Sequence, residues 1–541
     1  MLIDSRSVPE GEIIETDVAI VGAGLAGITL ARECIGQDFK VCLLESGGLQ
    51  SDKETQSLYH GKSVGHPYYP LDSARARFFG GSSHYWHCPM GRQRLGVRLR
   101  ALDAIDFEPR EWVPRSGWPF PKSHLDPYYD RANRVFQIDN GSNDVGTWEN
   151  PVTAPRLPLD SDRVATTVFH FGQRKFFFED YRREIERAAN MRTYLYANVL
   201  EIETDENAHR VATLRVKTLA GNQYRVRAGI FVLALGGIET PRLLFLSRRV
   251  QPEGLGNRHD LVGRCFMEHP HLWSGFFVPR DPGMLNKCRL YLTRSVDGYA
   301  VMGKLTVSEK VLRKEQILNY CVSLHPDLVP AKDLAEHSRG ALATKELLSS
   351  LRWKEWPSSF SGILLDIIKD PIGASDVIAR RLKSKLGRGD YRFAFRLNHM
   401  SEQAPDPQSR VMLADELDGF GQNRICLDWR LSELDIRTIV RAQEVMDAEM
   451  RRTGLGHVQI DLKEGPAPGQ LHGGWHHMGT TRMHEDASKG VVDPDCRVHG
   501  VSNLFIAGAS VFPTGGYANP VLTTVALVLR LADHLRLLMR R

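Results

Sequence analysis

The segment from Asp17 to Gly27 constrains the fold of this chain more than any other. An apolar run ends at Gly22, and Gly24 and Gly27 complete the pattern G-x-G-x-x-G ahead of residues with helical character. A second apolar run ends in Glu45, about 20 residues after the first glycine, as this motif requires. Strand, glycine turn, helix, strand and acid follow in the order of a βαβ unit that binds a dinucleotide.

Each part of this unit has a mechanical role. Gly22 permits the tight turn, Gly24 lets the backbone approach a pyrophosphate, and Gly27 lets the helix pack against the strand. The N-terminus of the helix offers free N–H groups to the phosphates, and Glu45 is placed to accept hydrogen bonds from a ribose diol. A glycine turn in an ordinary α/β domain is the alternative, and the surrounding strand, helix and acid weaken it.

The composition excludes several other classes of protein. The chain has 541 residues, enough for more than one domain, and its formal net charge of +5 includes no long Lys/Arg run that would indicate nucleic-acid binding. Its eight cysteines form no C-x-x-C pair, so we expect no metal site and a reducing, cytoplasmic location. No signal-like segment and no run of about 18 apolar residues is present, so we expect no membrane span.

Periodicity predicts the order of the remaining elements. Segment 194–218 reads as two strands, 223–235 as one strand, and 125–135 and 238–246 as helices. Short alternating stretches at 289–293, 299–307, 391–399, 410–413 and 424–429 indicate an antiparallel sheet. A final strand is expected within 503–510, followed by an amphipathic closing helix over 521–539.

These elements suggest a discontinuous organisation. We expect a nucleotide-binding part over 1–270 with a covering loop near 76–94, a substrate-binding domain over 271–462, and a C-terminal part over 463–541 that completes the first domain. The helix-prone segment 334–386, which contains both apolar and basic stretches, is interpreted as a lid over the substrate domain. A membrane-facing amphipathic patch is the alternative for that segment.

Several separate motifs resemble those of the glucose–methanol–choline (GMC) oxidoreductases. They run in order from the N-terminal βαβ unit to the C-terminus, whereas 271–400 carries none. The pattern is closest to the pyranose-oxidase-like branch of the family. The motifs are FGGSSHYW at 79–86, ALGGIETPRLL at 234–244, WHHMGTTRM at 475–483, RVHGV at 497–501, NLFIAG at 503–508 and FPTGGYANPVLT at 512–523.

The resemblance implies an α/β fold, with a Rossmann-like FAD-binding domain and a second substrate domain built on an antiparallel sheet with helices. It implies oxidation of a CH–OH group, of a sugar, glycoside or other polar alcohol, by hydride transfer to flavin N5. Oxygen, a quinone or another acceptor would then reoxidise the flavin, and the oligomeric state stays open. A flavin-containing lyase of the hydroxynitrile-lyase type is the alternative on the same fold, and an FAD-binding structural protein is a weaker one.

The resemblance also assigns catalytic residues. The family's base corresponds to His476, the first residue of H-x-x-G-T, and its partner corresponds to Asn519. A histidine suits a base because its ordinary pKa lies near neutrality, and an amide can donate a hydrogen bond to the substrate oxygen. His477 is the competing candidate, and we expect only one of the two neighbours to face the flavin because successive side chains of an extended segment point to opposite faces.

The same comparison of motifs assigns the cofactor contacts. Because Tyr85 occupies the place before Trp86 where some family members carry a flavin-linked histidine, and His84 lies one residue earlier, we expect noncovalent FAD. For Gly236, direct contact and a simple strand-to-helix connection remain equal alternatives. The expected contacts are Gly22, Gly24, Gly27, Glu45, Gly80, Gly81, Ser82, Val199, Gly236, Gly508, Ala509, Asn519, Pro520 and Val521.

Overall fold

The computed structural model describes the chain except for residues 91–94, 139–140, 282, 331–342, 345, 349, 351–359, 370–390, 463–469 and 541. Its first large element is a parallel sheet that brings the two ends of the chain together. The strands read as continuous apolar runs because both faces of the sheet are covered. In spatial order they are Leu2–Asp4, Met191–Leu195, Val41–Leu44, Val18–Val21, Ile230–Leu233 and Leu504–Ile506.

Helices cover this parallel sheet. The C-terminal helix Val521–Met539 packs against Leu25–Glu33 and Lys122–Val135, and its residues from Val521 to Leu529 are buried without interruption. Such all-round burial explains why its charged residues, Arg530, Asp533 and Arg536, lie in its second half. The other α-helices described are Lys53–Ser57, Ala104–Phe107, Tyr181–Arg187, Gly236–Leu246, Met284–Lys287, Glu309–Glu315, Phe360–Lys369 and Glu433–Arg452.

The second large element is a mainly antiparallel sheet of nine strands in the part of the chain described here. Its paired strands lie up to about 180 residues apart in sequence, as in the pairing of Phe276 with Gln459, so its formation depends on long-range contacts. In spatial order the strands are Gly456–Gln459, His271–Pro279, Tyr391–Ser401, Tyr320–Pro330, Tyr299–Val307, Val164–Gln173, Leu95–Leu99 and Cys88–Pro89, with Arg294–Val296 beside Tyr299–Val307.

Two smaller sheets complete the architecture. One contains Asn198–Thr204, Val211–Lys217, Gln223–Arg227 and Ile13–Glu15, and the other contains Arg410–Leu417, Asn423–Trp429 and Gly61–Gly65. The expected combination of a parallel nucleotide-binding sheet and an antiparallel sheet with helices is therefore confirmed. The domain boundaries stay predictions, and most of the segment interpreted as a lid lies outside the described residues.

Three details of the secondary structure differ from the expectation. Segment 223–235 is two strands in different sheets, because the chain turns at Gly229 although the apolar pattern continues across it. Segment 194–218 contributes to three strands rather than two. Arg289–Tyr291 is a 3₁₀ turn, in which Leu290 and Tyr291 are both fully buried, so the apparent alternation there is not that of a strand.

The long helix Glu433–Arg452 was not expected. Ser432 accepts a hydrogen bond from the Asp435 N–H, and the Asp435 carboxylate accepts one from the Ser432 N–H, which forms a capping box at its start. Its buried residues recur at helical spacing, so the sequence carried the signal. In the described part of the chain, no helix combines the length and the apolar character needed to cross a membrane.

Candidate active site

A cavity of about 700 Å³ lies where the parallel sheet meets the antiparallel sheet. Parallel strands end at its wall, since Gly22, Glu45, Ala234 and Ala507 each follow a strand and each line the cavity. The opposite wall includes His271 and other residues of the antiparallel sheet. Ligands of open α/β sheets bind at such carboxyl ends, so this cavity is the candidate site.

The glycine turn has the shape that dinucleotide binding needs. Gly22 has φ +104°, which favours glycine, and a side chain there would lie 2.6 Å from the Ala234 carbonyl oxygen. A Cβ atom at Gly27 would lie 1.8 Å from the Gly22 oxygen, so this glycine serves close packing of helix on strand. Gly24, by contrast, faces open space within the cavity wall. The turn therefore leaves room for a pyrophosphate against bare backbone.

Glu45 is buried at the edge of the same cavity. Its two carboxylate oxygens accept hydrogen bonds from the N–H groups of Ala23 at 2.9 Å and Gly47 at 2.8 Å. Burial raises the pKa of Glu45, and these two donors oppose that shift. The Ser46 hydroxyl adds a longer hydrogen bond of 3.3 Å, and because a carboxylate has about four lone-pair directions, acceptor capacity remains for a ribose hydroxyl.

Three helices begin at the cavity wall without a side-chain cap. They are Leu25–Glu33, Gly236–Leu246 and Val521–Met539, which follow Gly24, Leu235 and Pro520. Uncapped first turns carry free N–H groups and a partial positive charge, which favour an anion or an electron-rich ring. Together with the open glycines and Glu45, they fit a dinucleotide such as FAD, held by backbone rather than by lysine or arginine.

The loop after Phe79 contains two kinds of residue: some line the cavity, and others only fix the conformation of the loop. Gly81 and Ser82 line the cavity, whereas Gly80 does not. Gly80 donates its N–H to the Ala23 carbonyl at 2.8 Å, and a Cβ there would lie 2.7 Å from His84 Nε2. The structure therefore gives Gly80 a role in the turn instead of the expected direct contact.

His84 is held away from the cavity. Its ring is stacked on Phe178, with centroids 4.0 Å apart, and its Nε2 bonds the Phe79 carbonyl at 2.9 Å. Tyr85 lines the cavity, but a phenol is a different group from the histidine that carries flavin in some relatives. This arrangement supports noncovalent binding of the cofactor.

Most of the catalytic and cofactor-binding residues predicted from the sequence line the cavity. Only Gly27 and Gly80 of the expected set lie off it, and Gly236 is on it, which favours contact over a bare connection. The lining residues of that set are Gly22, Gly24, Glu45, Gly81, Ser82, Val199, Gly236, His476, Gly508, Ala509, Asn519, Pro520 and Val521.

His476 and Asn519 meet at one end of this cavity. The Asn519 amide nitrogen lies 2.9 Å from His476 Nε2, although 43 residues separate them in sequence. Burial is the main cause that lowers the pKa of His476 well below its ordinary value, and positive charge on neighbouring His269 and His271 would lower it further. The ring is therefore neutral near neutral pH, and one of its nitrogens is a free base.

His269 fixes which nitrogen of His476 carries the proton. His269 is fully buried, its Nε2 lies 3.3 Å from the Gly515 carbonyl oxygen, and its Nδ1 lies 2.8 Å from His476 Nδ1. A carbonyl only accepts, so His269 Nε2 carries a proton, and the neutral ring's Nδ1 is then an acceptor. His476 Nδ1 must donate to it, which leaves the lone pair on His476 Nε2, beside Asn519.

His477 belongs to a different network. Its Nε2 lies 2.8 Å from the Tyr68 hydroxyl, and this hydroxyl donates to the buried carboxylate of Glu268. Glu268 also accepts from the N–H groups of Gly474 at 2.9 Å and His476 at 2.8 Å, so it anchors the segment that carries both histidines. Burial raises the pKa of Glu268 to about 7. This network supports the interpretation of His477 as structural.

The sequence analysis missed Glu268, His269 and His271, all of which lie against His476. The sequence feature that could have identified them is the run of polar residues EHPH at 268–271, which lies at the expected boundary between the nucleotide-binding part and the substrate-binding domain. It also missed Trp475, which lines the cavity with a left-handed φ of +60° directly before His476. Such a conformation is costly for a tryptophan and marks a functional segment.

A parallel sheet whose carboxyl ends face an antiparallel sheet across a cavity with bare glycine turns defines a class, the dinucleotide-binding proteins. Comparisons with known proteins are consistent with this class. Residues 405–527 match the family model described as GMC oxidoreductase. A crystal structure of formate oxidase superposes with a TM-score of 0.53 at 17% identity, over 98% of this chain and 100% of the other, and so shares the fold.

Two characterised relatives support the same grouping. The fructose dehydrogenase large subunit of Gluconobacter japonicus is 26% identical over 96% of this chain and 98% of that protein. The C-glycoside 3-oxidase of Microbacterium trichothecenolyticum is 38% identical over 23% of this chain and 24% of that protein. Together these matches support membership of this chain in the GMC oxidoreductase family. It is accordingly an enzyme that binds FAD and oxidises CH–OH groups.

Proposed function

We propose that this enzyme oxidises a secondary or primary alcohol of a sugar, glycoside or similar polar compound, with His476 as the base. Bound FAD supplies the acceptor for the hydride. The observation that carries the proposal is the pairing of His476 Nε2 with the Asn519 amide at the cavity wall. Oxygen, a quinone or another acceptor would complete the cycle.

His476 would remove the hydroxyl proton. Its Nε2 lone pair points toward Asn519 on the cavity wall, and its lowered pKa keeps the base form available at neutral pH. The Nε2 lone pair can take the hydroxyl proton only after the Asn519 N–H leaves it, so this amide N–H would move from His476 Nε2 to the substrate oxygen when substrate binds. A donor placed where negative charge develops on oxygen stabilises the transition state.

The wall of the cavity suits a substrate with several hydroxyl groups. His271 Nε2, Trp475 Nε1 and Asn519 Oδ1 are buried and have no hydrogen-bond partner among the residues that the structure describes. Buried polar atoms are costly when unpaired, so each of them marks a position for a polar ligand atom. The names of the two relatives, a fructose dehydrogenase and a C-glycoside 3-oxidase, support a sugar or glycoside.

We expect polyols, sugars or glycosides to bleach the flavin under anaerobic conditions. Each compound would be mixed with purified enzyme and followed by flavin absorbance, after which oxygen or a quinone is added to find which acceptor restores it. Product formation without bleaching would instead support a non-redox lyase. Failure of every CH–OH donor to reduce the flavin would contradict the proposed substrate class.

A second prediction concerns His269. His269→Leu removes the acceptor for His476 Nδ1–H, so the ring gains by moving its proton to Nε2, where the base must be free. An unpaired buried donor costs about 1–3 kcal/mol, so we expect flavin reduction to slow about 5–100-fold. Stopped-flow reduction measures the rate, and ¹⁵N chemical shifts of the His476 ring report the tautomer directly.

His269→Asn is the matched control, because an amide oxygen can replace the acceptor. We expect it to restore most of the rate and the wild-type ¹⁵N pattern. If His269→Leu shifted no ring resonance, or if Asn and Leu slowed the reaction equally, His269 would have only a packing role.

A further inference from the structure

One face of the antiparallel sheet turns toward the catalytic end of the cavity and carries positive charge. The strand register places the cations Arg98, Lys304 and Arg396 on this face together with His271 and His325, and the side chains between them are aromatic, Met, Cys, Ser, Thr and Asn. Among the described residues of this face, the first acid is Asp327, which lies beyond His325 on the same strand.

Arg98 is the charged residue of this face that reaches the cavity. It lines the wall with its neighbours Gly96 and Val97, and its Nε is buried without a hydrogen-bond partner. No carboxylate in the described part of the chain forms an ion pair with it. Burial is the main cause that lowers the pKa values of His271 and His476, and the charge of Arg98 adds to it, so the guanidinium lies near the catalytic histidines.

Among the buried arginines in the described part of the chain, Arg75, Arg110 and Arg242 are paired with carboxylates, whereas Arg482 donates to the Arg115 carbonyl. Desolvating a guanidinium is costly, and a carboxylate partner offsets that cost. Arg98 departs from this pattern although Arg100, two residues away, follows it. The pairs are Arg75 with Glu239 at 3.2 Å, Arg100 with Asp103 at 2.6 Å, Arg110 with Glu402 at 2.5 Å and Arg242 with Asp418 at 2.6 Å.

Lys304 adds a further positive charge to the sheet face that carries Arg98. It is 2% exposed, and its ammonium lies 3.8 Å from the Cys321 sulfur and 4.3 Å from the centre of the Phe169 ring. Burial is the main cause that lowers its pKa to about 8, and the nearby Arg98 charge contributes to this shift. The sheet thus keeps two cations near each other with no acid between them, which raises the local affinity for an anion.

The acids of the cavity wall lie elsewhere and are already engaged. Glu239 is bonded by Arg75, Arg77 and Arg242, and Asp418 by Arg242. Glu45 accepts two backbone N–H groups beside the glycine turn. The wall near His476 and His271 therefore contains a cation, aromatic rings and neutral polar groups, but no carboxylate among its described residues.

We propose that Arg98 binds an anionic group of the substrate, a carboxylate or a phosphate, so that the enzyme acts on an anionic sugar or hydroxy acid. This inference rests on the proposed function, whose substrate class it narrows. A guanidinium holds either anion through two parallel N–H donors. The contact would place the substrate with its anionic end on Arg98 and its reacting hydroxyl at His476.

Three compounds that differ only at C6 test the proposal: glucose, glucuronate and glucose 6-phosphate. We expect the wild-type enzyme to prefer at least one anionic compound over glucose, as kcat/KM for flavin reduction. In Arg98→Gln, KM for that compound should rise about 10–100-fold, because a charge-assisted hydrogen bond is lost, and this rise should exceed the change in KM for glucose measured in the same variant. Preference for one anion over the other identifies carboxylate or phosphate.

A binding measurement without turnover separates this proposal from the proposed function. Benzoate has no CH–OH group, and benzamide is its neutral counterpart of similar shape. We expect benzoate to perturb the flavin spectrum of the wild type with an affinity that falls about 10-fold or more in Arg98→Gln and weakens with added salt. Benzamide should not distinguish the two proteins. Arg100→Gln, which removes a nearby charge that does not line the cavity, is the control and should leave benzoate binding unchanged.

Several outcomes would overturn the inference while the proposed function stands. One is equal use of all three C6 compounds by wild type and Arg98→Gln. Another is an equal loss for all three compounds together with a changed flavin spectrum before any ligand is added, since Arg98 would then act on the flavin itself. Benzoate affinity that is the same in both proteins would also exclude anion binding by Arg98. If no compound reduces the flavin, the benzoate titration still decides the role of Arg98.

Discussion

Flavin reduction in His476→Ala is expected to be about 10²–10⁴ times slower than in the wild type, with FAD still bound. The lost base is the cause, because the hydroxyl proton would have to leave to water in a largely buried site. The cofactor should stay because backbone and Glu45, rather than His476, hold its expected binding surface. Anaerobic stopped-flow mixing with a substrate that bleaches the flavin measures the rate.

Two further variants test whether the slower flavin reduction in His476→Ala is caused by the loss of the base. Asn519→Ala should cost less, on the order of 10–10³-fold, because it removes one neutral donor from a preorganised site. His477→Gln should lower thermal stability more than the reduction rate, because His477 bonds Tyr68 in the network that anchors its segment. A rate that survives in His476→Ala but collapses in His477→Gln would mean that the wrong histidine was chosen.

The pH dependence follows from the lowered pKa of His476. Burial disfavours its charged form, so the base form persists below the ordinary histidine pKa and is lost only as pH falls through the lowered value. Flavin reduction limited by proton removal should therefore stay constant from neutral pH to below pH of about 6.5. A rate that falls with a midpoint near the ordinary pKa would show that the ring is more solvated than the structure indicates.

The fold was predictable where the signal was local. Gly22, Gly24, Gly27 and Glu45 lie within one βαβ unit, whose order of strand, turn, helix and acid leaves few alternatives. The apolar runs of the parallel sheet and the alternation at Tyr299–Val307 gave strands of the right type. The same rules failed at 223–235, because hydrophobic periodicity does not register a turn between two buried strands.

The supporting residues of the site were not predictable, because they meet only in three dimensions. His269 and His476 are 207 residues apart, and nothing near either of them in sequence indicates that their rings bond. Arg98 is conspicuous only because the first acid on the same sheet face is Asp327, three strands away, which requires the register of the intervening strands to be known. The family resemblance identified His476 and Asn519. His269, which sets the tautomer of His476, and Arg98, which supplies the positive charge, can be recognised only from the packing of the folded chain.

A valine at Gly24 is expected to abolish FAD retention without unfolding the protein. The backbone of Gly24 is extended, with φ −85° and ψ −168°, a conformation that valine adopts easily, and no protein atom lies within 4 Å of the position of its Cβ. The added side chain would instead fill the space that a pyrophosphate needs against the helix N-terminus. Flavin absorbance per chain after gel filtration should fall from about one FAD to near zero, while circular dichroism stays native.

Gly27→Ala is the control variant for the loss of FAD expected in Gly24→Val. Its Cβ would lie 1.8 Å from the Gly22 carbonyl oxygen, so the first helix would have to move off the sheet. We expect that variant to lose folded protein as well as flavin, whereas Gly24→Val loses flavin alone. Full FAD occupancy in Gly24→Val would mean that the glycine turn does not carry the pyrophosphate. Flavin that stays with the denatured wild-type chain would reveal a covalent link and direct attention to Tyr85 and the loop that contains it.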